Sequence, residues 1–506
     1  MSKSTSSSNS SCLSHSFSTS QRTCQDTEQS PNLTINHLPD EMLLEIFDSY
    51  RQITDQYDHQ WRKKHVWFNL THVCRKWRAI MFASSSRLDL GITVGPQKPG
   101  HIKTILSSPL PIFIDYKCLY GDITGSALWR LRSALRQQDR VREISFEGSN
   151  VGFKKFFKAT KRAFPILESL VLRFGYDYEQ NIPDTFLRGE DLSDLHVRRL
   201  SLDCLSLTSV SGLLLSATAL TDLSLLVDSI SEPSAEITLL TCLRGMHCLR
   251  NLDLSLVYGP LDSPPLQHSA PKDVVQMSEL TRFHYIGHNT FLNNLMAGFS
   301  APSLQDVRFM LCNLLPILHL PRFIDGLREQ YRSVNVTLNS TRAADFRLSL
   351  LTHFEDIMID DFKPSFRFHT NHSPESIKPI SSISSTKLAA AEELTLFFPH
   401  VGIPKEWEHV FPLREFLRQF RSVKVLRVDP FVPEVALALM QDNEGAVFPV
   451  LEEIELLISR STSGPDEEHR RRRPAEELGA FEPFVSVREQ AGRPVKVSHR
   501  ELPRSD

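Results

Sequence analysis

A short apolar pattern that recurs along most of the chain constrains the fold more than any other feature. It consists of an apolar residue, two further residues, a second apolar residue, one residue and a third apolar residue, as in "LTDLSL" and "LRNLDL". Most occurrences are about 23 to 32 residues apart, and a regular period of this length is typical of repeat architectures. The middle apolar residues of the twelve occurrences are Ile144, Leu170, Leu200, Leu223, Leu252, Phe283, Val307, Val334, Ile357, Leu394, Leu426 and Ile454.

Each occurrence predicts one short strand. The last two apolar residues lie two apart, so they point to the same side of a strand, and the residue between them points to the opposite side. That intervening residue is polar in ten of the twelve units, as a solvated face requires. Stretches such as "SGLLLSATA" have helical spacing and suit the return leg of each unit. We therefore predict an α/β fold with one short parallel strand per unit and an open polar face. The candidate binding residues on that face are Ser201, Ser224, Asp253, His284, Arg308, Asn335, Thr395 and Arg427.

These units resemble a leucine-rich repeat, a solenoid family with a period of 20 to 29 residues. The family places Asn or Cys three positions after the last apolar residue, where the side chain bonds the backbone of the turn. Here that position holds Cys312 in one unit but Leu205, Val257, His288 and Pro399 in others, so the predicted turns are irregular. An ordinary α/β domain with a parallel sheet is the alternative interpretation.

Two amphipathic segments precede the repeats. Residues 38–51, "LPDEMLLEIFDSYR", begin with a proline suited to the first helical turn, followed by two acidic residues that complement the helix dipole. Their apolar arc is about 200° wide, whereas a surface helix needs only a little over 100°. The helix therefore requires two neighbours. Residues 66–82, "VWFNLTHVCRKWRAIMF", form a second amphipathic segment that supplies one of them.

Together these segments, "LPDEMLLEIF" and "HVCRKWRAI", resemble an F-box, and the following "FASSSRLDLGI" resembles the F-box-like proteins of mushroom-forming fungi. The resemblance covers residues 38–92. It implies a three-helix module that binds a Skp-type adaptor and, through it, a cullin-containing ubiquitin ligase. The loop between the two helices, with Tyr57, Trp61 and the basic run Arg62 to Lys64, is longer than in the compact form of the module. The implied adaptor-binding residues are Leu38, Pro39, Leu43, Leu44, Ile46, Phe47, Val73, Cys74 and Trp77.

The chain of 506 residues is long enough for several parts. The predicted parts are a disordered Ser-rich tail at 1–32, an F-box-like helical domain at 33–92, a connecting or N-terminal capping segment at 93–137, a degenerate leucine-rich-repeat-like domain at 138–458, a charged loop at 459–477, and a C-terminal cap at 478–506 made of a helix that stops at Gly492 and a strand.

Composition and missing motifs exclude several functions. A net charge of −3 gives no general attraction to nucleic acid, and no apolar run is long enough for a membrane span. The eight cysteines lack zinc-ligand spacing, which favours a reduced compartment, the cytoplasm and/or the nucleus. Motifs for nucleotide binding, nucleophilic catalysis and metal binding are absent from the sequence. We expect no enzyme activity, no cofactor and no metal.

The leading hypothesis is a substrate receptor of a Skp–cullin–F-box ubiquitin ligase, with an unknown target protein on the repeats. The alternative is a leucine-rich-repeat scaffold outside any ligase, in which the helical pair only caps the first repeat. A hydrolase on an α/β sheet is a third hypothesis, disfavoured because no nucleophile motif occurs.

Overall fold

The computed structural model describes about three fifths of the sequence and divides the chain into two units, Met1–Leu90 and Gly91–Asp506. The predicted Ser-rich tail, Trp61 with the basic run after it, and the strand predicted at Ile357 lie outside the described residues. The described residues are 35, 38–57, 70–84, 92–95, 110–118, 125–160, 163–174, 182, 186, 197–203, 206–227, 235–256, 274–311, 318–328, 333–339, 345–351, 386–397, 413–428, 433–440, 447–458 and 467–501.

Within the first unit, the described helices are α1, Asp40–Tyr57, and α2, Arg75–Ala83. Helix α1 continues to Tyr57 instead of ending near Arg51. The prediction of one helix over 66–82 is wrong, because the chain turns at 72–73 and α2 begins only after Cys74. The backbone of Cys74 is extended (φ −156°, ψ 173°), and its sulfur accepts a hydrogen bond from the amide of Trp77, which caps the new helix.

The second unit contains a fifteen-stranded sheet and a separate two-stranded sheet formed by β8 and β10. The strands are β1 Ile92–Val94, β2 Ile112–Cys118, β3 Val141–Gly148, β4 Ser169–Phe174, β5 Arg199–Asp203, β6 Asp222–Val227, β7 Asn251–Leu256, β8 Val275–Gln276, β9 Arg282–Gly287, β10 Phe299–Ser300, β11 Asp306–Leu311, β12 Ser333–Asn339, β13 Asp345–Leu351, β14 Glu393–Phe397, β15 Val425–Val428, β16 Glu453–Ile458 and β17 Lys496–Glu501. The order in the large sheet follows the sequence except that β13 lies between β11 and β12.

Helices occupy many of the connections between these strands. They are α3 Gly125–Leu135, α4 Asn150–Ala159, α5 Leu207–Ser216, α6 Ala235–Arg244, α7 Asn289–Gly298, α8 Leu320–Asp325, α9 Thr386–Ala389, α10 Leu413–Leu417, α11 Pro433–Met440 and α12 Glu467–Gln490. The prediction of an α/β fold with a parallel sheet and helices is thereby confirmed. No helix in the described part of the chain is long and apolar enough to cross a membrane.

The repeated apolar residues align across the sheet. Leu223 is paired with Leu200 on one side and with Leu252 on the other, and Phe283 and Val307 continue the same row. In β6 and β7 every second residue is buried, and the buried faces of the helices join them in one core. The residues between the buried positions lie on the opposite face of the sheet.

The same pair of backbone hydrogen bonds occurs at the start of successive strands. The carbonyl oxygen of Thr221 accepts hydrogen bonds from the amides of Arg250 (2.8 Å) and Asn251 (3.0 Å). The carbonyl oxygen of Arg250 does the same for Thr281 (2.9 Å) and Arg282 (3.0 Å). Because each strand enters the sheet through the same contact, the side chains of neighbouring strands are held in fixed register.

Three features of the sheet differ from the prediction. Strand β13 runs antiparallel to both β11 and β12, so the prediction of parallel strands fails there. The six-residue pattern missed β13 because Asp345 occupies the position of the first apolar residue. Apolar alternation also specifies only which face of a strand is buried, not the direction of the strand. The predicted connecting segment at 93–137 contributes β1 and β2 to the sheet. The pattern omits β2 because Pro111 occupies the position of the first apolar residue.

The third difference is at the C-terminus. Helix α12 begins at Glu467, so most of the charged loop predicted at 459–477 is helical. Its Glu, Arg and Ala residues have high helix propensity, although their charge had suggested a loop. The predicted stop is present, since Gly492 has a φ of 71° just after the helix, and β17 then pairs in parallel with β16.

Candidate functional site

One lysine fastens the start of α1 to α2. The ammonium group of Lys76 donates a hydrogen bond to the carbonyl oxygen of Leu38 (2.9 Å) and lies 3.3 Å from the carboxylate of Asp40. Pro39 directly precedes the helix, and its carbonyl oxygen accepts a hydrogen bond from the amide of Leu43 (3.1 Å). The position of α1 relative to α2 is therefore fixed at its first turn.

Aromatic packing holds the two helices together further along. The rings of Phe47 and Trp77 have centroids 4.8 Å apart and are tilted by 60°. Phe47 and Leu43 are almost completely buried, as are Ile80 and Met81 of α2. These residues use only part of the wide apolar arc of α1.

Another side of that arc is exposed. Met42, Ile46 and Tyr50 follow one another at intervals of four residues, so they lie along one side of the helix, and they are 50%, 39% and 36% exposed. Val73, in the turn before α2, is 57% exposed. We call Met42, Ile46 and Tyr50 the α1 stripe. It is an apolar surface on a helix whose opposite side is already packed.

The nine residues predicted to bind an adaptor divide into three groups. Pro39, Ile46 and Val73 are exposed; Leu38 and Cys74 are half-buried; Leu43, Leu44, Phe47 and Trp77 are buried between the helices. Met42 and Tyr50 are exposed on α1 as well, but the prediction did not include them among the adaptor contacts. Adaptor binding by any of the nine stays a prediction.

A second candidate site lies on the open face of the sheet. The predicted binding residues occupy one row across it: Ser201 is paired with Ser224, Ser224 with Asp253, Asp253 with His284, and His284 with Arg308. In the second half of the sheet Asn335 is paired with Thr395, and Thr395 with Arg427. Ser349 of β13 lies between the two halves, paired with Arg308 and Asn335, and was not among the predicted binding residues. Target binding by this row stays a prediction.

His284 bridges carboxylates of the strands on both sides of it. Its Nδ1 lies 3.0 Å from Asp253 Oδ1, and its Nε2 lies 3.2 Å from Asp306 Oδ2. Asp306 also contacts the guanidinium groups of Arg308 (3.0 Å) and Arg282 (3.5 Å). Burial alone would lower the pKa of His284, but its contacts with Asp253 and Asp306 outweigh burial and raise it.

The side chain of Arg427 is buried and forms ion pairs. It is only 7% exposed, and its guanidinium group lies 2.7 Å from Glu393 and 2.6 Å from Glu455. Glu455 also contacts Arg500 at 3.5 Å. A buried arginine held by two carboxylates is a bridge between three strands, so a partner could reach it only by displacing those carboxylates.

A groove of about 170 Å³ lies over β5, β6 and β7, on the same face of the sheet as these charged contacts. Ser201 and Ser224 line it, together with Asp222, Asn251 and Asp253, and Arg199 and Arg282 stand at its two ends. Within the part of the chain that the structure describes, no cluster of three metal-ligating side chains occurs.

Comparison with known proteins identifies the first unit. Residues 35–86 match the family model described as F-box-like, so an F-box-like domain precedes the α/β unit in the sequence. The matched range is a small part of the chain. No curated protein matches the chain significantly.

Two solved structures are similar in part. A chain of the yeast Rad7 and Elc1 complex is 12% identical, with 84% of this chain and 91% of that chain covered and a TM-score of 0.32. A chain of the TLR13–ssRNA13 complex is 10% identical, with 81% of this chain and 44% of that chain covered and a TM-score of 0.27. Both scores are low, and we infer nothing about this chain from them.

Proposed function

We propose that this protein is a substrate-recognition subunit of a Skp–cullin–F-box ubiquitin ligase. A Skp-type adaptor binds the F-box-like domain, and the second unit, a leucine-rich-repeat-like solenoid in this proposal, holds a target protein on its open face. The protein forms no bonds itself; it raises the effective concentration of the target near the ligase. The same proposal places it in the cytoplasm and/or the nucleus.

The observation that carries this proposal is the α1 stripe on a domain that matches the F-box-like family. Burying an apolar side chain fully stabilises a complex by about 1.5–3 kcal/mol, and the three stripe residues are each still at least one third exposed. Phe47 and Trp77 keep the helix in place from the inside. The stripe can therefore be covered by a partner without any rearrangement of the domain.

The test is a double substitution, Met42→Lys with Ile46→Lys, in the full chain. Both side chains are exposed, so the domain should stay folded, whereas binding to a purified Skp-type adaptor should weaken about tenfold or more. Val487→Lys is the matched control, because Val487 is 64% exposed but lies on α12 in the second unit. Binding is measured by calorimetry, and folding of the domain by hydrogen exchange of the amides in α1 and α2.

A double variant that is folded and binds the adaptor as tightly as the wild type would contradict this proposal. The scaffold hypothesis would then be preferred, in which the helical pair serves the solenoid alone. Loss of binding in the Val487→Lys control to the same extent would also count against the α1 stripe.

A further inference from the structure

The groove over β5, β6 and β7 has an electrostatic character that the strand order explains. Two arginines line the groove, Arg199 on β5 and Arg282 on β9, and their charges alone would make the groove positive. Each arginine is paired with a carboxylate that does not line the groove. Arg199 lies 3.0 Å from Glu143, on β3, and Arg282 lies 3.5 Å from Asp306, on β11.

The directions of these two contacts follow from the sheet. Arg199, on β5, reaches across β4 to its partner on β3, and Arg282, on β9, pairs with the neighbouring strand β11. Both arginines line the groove, as does Val171 of β4, but their charges are already paired with Glu143 and Asp306. The other charged residues that line the groove are Asp222 and Asp253.

Those carboxylates are not neutralised by arginine or lysine. Asp222 accepts hydrogen bonds from the hydroxyl of Thr221 (2.6 Å) and from the side-chain amide of Asn251, and both donors are uncharged. Among the described residues no cation lies within ion-pair distance of Asp222, and the one charged contact of Asp253 is with His284. Asp253 is 49% exposed, so its carboxylate can be reached from solvent.

We propose that this groove docks one basic side chain, a lysine or an arginine, of the target protein. The inference rests on the proposed function, since it names the chemistry that the open face recognises. The side-chain cation lies between the carboxylates of Asp222 and Asp253, over the small side chains of Ser201 and Ser224.

Size and spacing fit such an occupant. A volume of about 170 Å³ is several times the roughly 30 Å³ occupied by one water molecule, so the groove has room for an ammonium or guanidinium head with part of its stem. Asp222 is paired with Asn251, and Asp253 with Ser224, so the two carboxylates are diagonal neighbours on adjacent strands. Such neighbours are about 7–8 Å apart at Cα, which allows one cation to contact both. Serine hydroxyls beneath can accept the remaining hydrogen bonds of the cation.

The experiment measures binding of fluorescent 12-residue Gly/Ser peptides to the full chain by anisotropy. Four peptides are compared, carrying two arginines, two lysines, two glutamates or two norleucines. The basic peptides should bind, and Asp222→Asn or Asp253→Asn should weaken that binding about tenfold, because each removes one charge without changing the shape of the groove. Glu143→Gln should weaken it less, by releasing Arg199 toward the groove.

Asp203→Asn is the matched control. Asp203 is on the same face and is paired with Arg173 at 3.2 Å, outside the groove. Its replacement removes the same charge from the face, so unchanged peptide binding in this variant supports a local site. An equal loss in Asp203→Asn, equal binding of all four peptides, or no binding of the basic peptides up to about 1 mM overturns the proposal.

Adaptor binding is measured on the same variants, which separates the two proposals. If Asp253→Asn loses the basic peptides but keeps the adaptor, both proposals are supported. If the wild-type chain binds the adaptor but no basic peptide, the groove inference alone fails. If it binds basic peptides but no adaptor, the ligase role fails and the groove remains a docking site.

Discussion

The two units of this chain present opposite kinds of surface. In the helical unit the candidate site is apolar: Met42, Ile46 and Tyr50 lie exposed along α1 and form no charged cluster. On the sheet the candidate site is polar, and carboxylates and cations from neighbouring strands are paired across it. An apolar stripe gains free energy from any complementary apolar surface, whereas paired charges contribute selectivity, since a wrong partner leaves a charge desolvated and unmatched.

This difference also appears in how each site is supported. The α1 stripe depends on the interface between α1 and α2, in which Phe47 packs against Trp77 and Lys76 donates a hydrogen bond to the carbonyl oxygen of Leu38. The charged face depends on strand register, because residues far apart in sequence, such as Asp253 and Asp306, meet only through the strand between them. One site should therefore be lost by a single core substitution, and the other should change locally when single charges are removed.

The largest expected effect is from Phe47→Ala. Phe47 is almost completely buried, so removal of its ring leaves a cavity against Trp77. The free energy of unfolding should fall by about 3–5 kcal/mol, enough to unfold the helical unit. Ile46→Ala, one residue earlier on the exposed side, is the matched control and should change stability by a small fraction of that. Hydrogen exchange of the amides in α1 and α2 is the measurement. Retained protection in Phe47→Ala would show that the unit does not depend on this contact.

A somewhat smaller effect is expected on the sheet from Arg427→Ala. The substitution leaves Glu393 and Glu455 close together without their shared cation, in a place where Glu393 is also buried. Removing one partner of a buried ion pair costs about 3 kcal/mol or more.

The control for Arg427 is Lys496→Ala on β17. Lys496 also pairs with a glutamate, Glu453, at 2.7 Å, but it is 71% exposed, so we expect little change in stability. Urea unfolding measures both variants. An equal change in the two would mean that burial of Arg427 has no special weight, and the contrast between the enclosed and the open parts of the face would be lost.

Sequence reasoning succeeded where one physical rule determines the outcome. Burial of one side of each strand determines the apolar spacing, and so the parallel sheet and the alignment of residues such as Leu223 and Leu252 could be predicted. Strand β13 was missed because Asp345 breaks the six-residue pattern, and its antiparallel direction is not part of that rule in any case. Proline at Pro111 interrupted the pattern without preventing the strand that follows it.

The candidate sites were predictable only in outline. The width of the apolar arc of α1 indicated two neighbours, but the division of the arc depends on where α2 packs. The structure gives Leu43, Leu44 and Phe47 to the interior and leaves Met42, Ile46 and Tyr50 outside. On the sheet, the row of polar residues was predicted. The groove and the ion pairs of Arg199 and Arg282 depend on the order of the strands, which no local sequence pattern specifies.

The smallest expected effect concerns pH and the His284 contacts. The pKa of His284 is raised above 6.5, since its contacts with Asp253 and Asp306 outweigh burial, and the pKa of Asp306 is lowered below 3.8, since contacts with His284 and Arg308 outweigh burial there. A raised histidine pKa contributes stability that is complete below the unfolded value and is lost as pH rises through the folded value. A lowered carboxyl pKa contributes stability that is lost as pH falls through its folded value. The cluster therefore contributes fully between about pH 3.8 and 6.5.

His284→Asn tests that window, since asparagine keeps hydrogen bonding but cannot take a proton. The difference in unfolding free energy between wild type and variant should be largest at about pH 5 to 6, inside the window, and should shrink as pH rises past the folded pKa of His284. His247→Asn, in the turn before β7, is the control for replacing a histidine outside this cluster, and the pH trend is read as the difference between the two variants. A difference that stays constant with pH, or grows toward alkaline pH, would mean that the histidine acts as a neutral hydrogen-bonding group. In this cluster only the arginines would then act as cations. The charged face would differ less in charge from the apolar α1 stripe than the contacts of His284 indicate.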